Sequence, residues 1–71
     1  MKYKLIYLDN ELSRGQDCVG KISIFNFDGQ YFYFDAIRSS RVVSINKDLN
    51  RMEIQTRNSK YVFEEFEYED D

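Results

Sequence analysis

The side chains able to do chemistry in this sequence are one thiol, a scatter of carboxylates, ten lysines and arginines, and six tyrosines. Histidine is absent. That removes the commonest general base, the Ser/His and Cys/His nucleophile pairs and any imidazole metal site. Cys18 has no base beside it in sequence, and the charge of Asp17 raises a neighbouring thiol's pKa, so Cys18 reads as a plain structural thiol. Asp9-Asn10-Glu11 lacks the ligand spacing of a calcium loop, and Glu64, Glu65 and Glu67 have no partner carboxylate that spacing places near them. Gly15, Gly20 and Gly29 stand apart as turn or strand-end glycines, so no phosphate-cradling loop is present. The expectation is a non-enzymatic chain with no cofactor and no metal site.

What remains is the chemistry of binding, and charge is distributed unevenly for that purpose. The net charge is −3, yet residues 1–60 carry all ten basic residues against seven acids, while residues 61–71 carry six acids and no base. Glu64, Glu65 and Glu67 therefore form either a solvated row that protects the last strand or a carboxylate row that docks on a basic partner. A third reading folds the acidic end back over the chain's own basic patch.

The basic residues gather if the chain is an up-and-down sheet, because alternate connections emerge at the same end. Loops 9–18, 38–41 and 57–60 then bring together Arg14, Arg38, Arg41, Arg57 and Lys60, with Ser39, Ser40, Asn58 and Ser59 between them. Such a cluster suits phosphate. Arg38, Arg41, Arg57 and Lys60 are accordingly the candidate residues for a nucleic-acid-binding alternative, with Tyr31 or Tyr33 as stacking partners. The net negative charge counts against that alternative.

These groups must be positioned by strands. β-Branched and aromatic residues recur with period two in runs bounded by turn residues, predicting strands over residues 3–8, 19–27, 31–37, 41–46, 52–57 and 61–68. Asp28-Gly29 is the clearest two-residue hairpin turn and Asn58-Ser59 a weaker one. With those turns, Phe25, Phe27, Phe32 and Phe34 share one face as a core, and Ile54 and Phe63 continue a second apolar patch through Met52. The opposite face of the first hairpin carries Ile22, Ile24, Asn26, Tyr31, Tyr33 and Asp35, half apolar and half polar. A helical turn within residues 12–17 is compatible with the sequence. The fold expected is a small all-β antiparallel meander of about six strands, bent into an SH3-like barrel or a two-layer sandwich, so that the two patches meet. The resemblance is one of layout alone.

At 71 residues with 17% aromatics, the chain holds one domain, residues 1–68, with 69–71 as an acidic frayed end. A domain this short needs a dense core, a staple or a partner, and one cysteine cannot form an internal disulfide. The lone thiol, the lack of a signal-type apolar run and the lack of any stretch near the ~20 apolar residues of a membrane span suggest the cytoplasm. The function expected is a protein-binding module using Tyr31, Tyr33, Ile22 and Ile24, or Glu64, Glu65 and Glu67. It would act as a small inhibitor or accessory regulator, by analogy with the phage and mobile-element products that block host machinery such as defence nucleases. The alternatives are the nucleic-acid-binding barrel and a self-associating subunit pairing through an open first or last strand.

Overall fold

The computed structural model describes residues 2–9 and 17–66. Among them it forms seven strands: β1 (Lys2–Asp9), β2 (Ile22–Phe27), β3 (Phe32–Phe34), β4 (Ile37–Arg38), β5 (Val42–Asp48), β6 (Arg51–Thr56) and β7 (Lys60–Phe66). All pairings are antiparallel. The expected all-β meander is present, with seven strands where the sequence reading has six. The additional strand arises because the expected strand at 31–37 is cut at Asp35, whose φ of 51° lies in the left-handed region. The chain reverses through Asp35-Ala36, and Phe34 faces Ile37. Arg14, Glu67 and nearly all of the expected helical turn at 12–17 lie outside the described residues, as do residues 69–71.

The sheet order is β4-β3-β2-β1-β7-β6-β5. The first and last strands therefore pair with each other at its centre, from Lys2↔Phe66 to Asp9↔Lys60. This corrects the expectation of an open first or last strand: the edges are β4 and β5. Only residues 39–41 connect those two edges, so the sheet has to curl. A backbone bond from Val42 N–H to Gln30 C=O at 2.8 Å marks the approach, while one from Arg57 N–H to Arg41 C=O at 3.1 Å continues the β5–β6 pairing.

Both hairpin turns sit one residue from where the sequence reading places them. Asp28 N–H donates to Tyr31 C=O, so the loop residues are Gly29 and Gln30, and Phe25 faces Phe34 while Phe27 faces Phe32. In the second hairpin Thr56 N–H donates to Ser59 C=O, so the loop is Arg57-Asn58, and Ile54 faces Tyr61 while Met52 faces Phe63. Moving a two-residue loop by one position slides the pairing by two. Side chains alternate with period two, so partners change but faces do not.

The two apolar patches meet on the inner side of the curled sheet. Phe63 is the hub: its ring centroid lies 4.9 Å from that of Phe34, 5.4 Å from Phe25 and 5.6 Å from Phe32, mostly edge-on. Such edge-to-face pairs add about 0.5–1.5 kcal/mol each beyond area burial. Leu5, Ile54, Phe32, Phe34 and Phe63 are fully buried. Leu5 and Leu8 are both in the core although three residues apart, because the β1–β7 pairing shifts between Leu5 and Tyr7; the extra residue, Ile6, resets the alternation. Phe27 departs from the expected core. It is 44% exposed, since its place beside the turn carries it beyond the buried layer.

Candidate functional site

The outer side of the same sheet holds Ile22, Ile24 and Tyr33 of the sequence-predicted binding residues. On β2 the inward positions are Ser23 and Phe25, which leaves Ile22, Ile24 and Asn26 outward. Ile22 is 43% exposed and Ile24 54%. Ile24 faces Lys2, which in turn faces Phe66 on β7; Ile22 faces Lys4, which faces Glu64. On the other flank Asn26 faces Tyr33, and Tyr33 faces Arg38. The result is a face with Ile22, Ile24, Phe66 and Tyr33 as apolar groups and Lys2, Lys4 and Arg38 set among them. Phe66 is the member that the sequence reading missed. The signal for it was present: Phe63 and Phe66 are three apart on a strand, so they point to opposite sides and only one belongs to the core.

Tyr31 is only partly exposed. The Arg38 guanidinium carbon lies 5.6 Å from the centre of its ring, a cation–π contact. Tyr33 is anchored differently, with its hydroxyl 3.3 Å from Asp28 Oδ2. The other Asp28 oxygen accepts the backbone N–H groups of Gln30 at 2.9 Å and Tyr31 at 2.8 Å. Those amide bonds, Tyr31 first, hold the Asp28 carboxyl below the usual carboxylate range. Asp28 is thus an ionised turn cap that also fixes a tyrosine of the contact face.

The acidic strand does not form the row expected of it. Glu64 and Glu65 are consecutive and point to opposite sides of β7. Glu64 stands between Lys4 and Arg51 in register. Glu65 shares the side of Tyr3, and its carboxylate is 3.7 Å from the Lys47 ammonium. The Tyr3 hydroxyl, followed by the Glu65 charge, pushes the Lys47 pKa above the ordinary lysine range. Glu65 is therefore engaged within the chain, Glu64 faces a lysine and an arginine in register, and Glu67 lies outside the described residues.

The basic candidates separate in a similar way. Lys60 is on β7 rather than in a loop, with its ammonium 3.1 Å from Glu53 Oε1. Arg38 is on β4 rather than in the 38–41 loop. Arg41 and Arg57 are both exposed and are brought side by side by the backbone bond between them.

Cys18 is buried in the core cluster, with its sulfur 3.7 Å from Asp35 Oδ2. Lys21 reaches the same Asp35 oxygen at 3.9 Å. Among the described residues no group of three metal-ligating side chains converges, and no helix is long and apolar enough to cross a membrane. Comparison with known protein families, curated proteins and solved structures returned no match.

Proposed function

We propose that this protein is a non-enzymatic binding module that takes a protein partner on the outer face of β1, β2, β3 and β7. One observation carries this reading: β2 is apolar on both sides. Phe25 faces the core, while Ile22 and Ile24 face outward beside Phe66 and Tyr33, all more than a third exposed. An antiparallel sheet with one solvated face normally alternates apolar inward and polar outward. A cluster of large apolar side chains on the polar side is the mark of a contact surface. Lys2, Lys4 and Arg38 supply the charged setting in which such apolar anchors usually lie.

The module acts by occupying a surface of its partner, as a small inhibitor or accessory regulator. The surface comes from strands rather than loops, so it is rigid before contact and loses little conformational freedom on binding. The test is affinity capture from lysate with the tagged chain, treated with nuclease, alongside a variant carrying Ile22→Thr and Ile24→Thr. A protein retained after nuclease by the parent chain and released by the variant supports the reading. Retention that disappears with nuclease, or that the variant shares, overturns it.

A further inference from the structure

We propose a second site, adjoining the apolar face and sharing Arg38 and Tyr33 with its rim, in which Arg38, Arg41 and Arg57 hold the phosphates of a single-stranded nucleic acid. The proposal goes beyond the protein-binding reading and stands or falls separately from it.

Three segments far apart in sequence are stitched together around Arg41. Arg41 C=O accepts the N–H of Arg57, and the next residue, Val42, donates its N–H to Gln30 C=O. Gln30 adjoins Tyr31, over which Arg38 lies. Two consecutive residues thus tie the β6–β7 turn to one side of Arg41 and the β2–β3 turn, with its Tyr31–Arg38 pair, to the other. All three arginines are exposed.

Lys21, Lys47 and Lys60 each have a carboxylate within 4 Å, namely Asp35, Glu65 and Glu53. Among the described residues, no ion pair engages Arg38, Arg41 or Arg57. The carboxylate in the adjoining turn, Asp28, is already committed to two backbone amides and the Tyr33 hydroxyl. The connection that carries Arg41 also holds the Ser40 hydroxyl, whose oxygen is buried with no hydrogen-bond partner. A buried hydroxyl left in that state costs stability and needs an explanation, such as a ligand that completes it.

The residue types point to a strand rather than a free anion. Guanidinium groups present in-plane N–H donors matched to phosphate oxygens. The Arg38 guanidinium, 5.6 Å from the centre of the Tyr31 ring, has no carboxylate partner among the described residues. Tyr33, on the same face as Arg38, is exposed and able to stack a base; guanidinium planes and tyrosine rings are the platforms on which unpaired bases are held.

The experiment is fluorescence polarisation of the full chain with a labelled, mixed-sequence single-stranded oligonucleotide across a salt series. Three phosphate contacts on a single strand predict a log–log salt slope of about −2, or roughly 15-fold weaker binding between about 50 and 200 mM salt. Arg41→Gln with Arg57→Gln should reduce that slope by about 1.4. Arg41→Lys with Arg57→Lys should retain most of the binding, and Lys47→Gln should leave it unchanged. Unchanged thermal melting of the glutamine variant establishes that its loss is not unfolding; both side chains are exposed, so that is the expected result. The Ile22→Thr, Ile24→Thr variant should bind the strand normally, which keeps this test apart from that of the protein-binding face. Absence of strand binding at low salt, a slope untouched by the glutamine pair, or displacement by inorganic phosphate at matched phosphate concentration would each overturn the proposal.

Discussion

Ile24 and Phe66 lie on either side of Lys2, in one row across β2, β1 and β7, with their side chains on the face turned away from the core. They are 54% and 38% exposed. The row joins residues more than forty positions apart in sequence, because β1 is paired on both flanks. The fold does not require this exposure. The inner sides of the same three strands already supply Tyr3, Leu5, Phe25, Phe63 and Tyr61 to the core.

Replacing Ile22 and Ile24 together by Thr should therefore change folding stability by no more than about 1 kcal/mol, since Thr keeps the β-branched shape and little buried area is lost. Urea denaturation measures this. A loss of several kcal/mol would mean that these side chains are part of the core.

The corrected hairpin register separates two phenylalanines that the sequence pattern treats alike. Phe63→Ala should cost about 3–5 kcal/mol, as expected for a fully buried ring at the centre of a core. Phe27→Ala, beside the turn and 44% exposed, should cost under about 1.5 kcal/mol. Equal losses would restore the register in which both are core residues.

How far this architecture was legible depended on which signals are local. Period-two alternation separates Ile22 and Ile24 from Phe25 without any knowledge of the partner strand, and that separation survives a turn misplaced by one residue. The turn centres themselves depend on side-chain capping. Asp28 stands just before its loop and binds the two amides beyond Gly29. Thr56 and Ser59 close the other turn through a side-chain bond of 3.0 Å from Ser59 N–H to Thr56 Oγ1. Asp-Gly and Asn-Ser pairs signal that a turn is near but not which two residues occupy the loop. The reversal at Asp35-Ala36 carries no glycine or asparagine, and the lone aspartate, although it tolerates the left-handed region, is a weak turn signal inside an apolar run. The pairing of β1 with β7 is a long-range contact that no local pattern reports, and it is what moves Glu64 from an edge to the middle of the sheet. Phe66 entered the contact face for the same reason.

A strained turn offers a separate check. Leu49, between β5 and β6, has a φ of 53° and is 90% exposed. The left-handed conformation costs a residue with a Cβ about 1–2 kcal/mol, while Gly pays about 0.5–1 kcal/mol more chain entropy. Leu49→Gly should accordingly stabilise the fold by about 0.5–1 kcal/mol in denaturant titration. Destabilisation would show that the leucine side chain supports the hairpin.

Stability should fall at alkaline pH in a way traceable to one phenol. Burial raises the Tyr61 pKa above its ordinary 10.0, because the fold disfavours the charged phenolate. The folded state then holds its proton where the unfolded chain releases it. The contribution is complete below pH 10.0 and is lost as pH rises through the higher folded value. Lys47, also raised, acts with the same sign. Tyr61→Phe should flatten the alkaline limb of a melting-temperature profile relative to the parent chain. A profile as steep as the parent's would place the loss elsewhere.

The most direct test of the central claim is the affinity of the captured partner, purified and free of nucleic acid, for the parent chain and for the Ile22→Thr, Ile24→Thr variant by calorimetry. If the outer face carries the contact, losing two apolar anchors at its centre should cost at least about 2 kcal/mol, or some thirtyfold in Kd, with the heat-capacity change on binding reduced in magnitude. An unchanged Kd in a variant that melts like the parent would contradict the account.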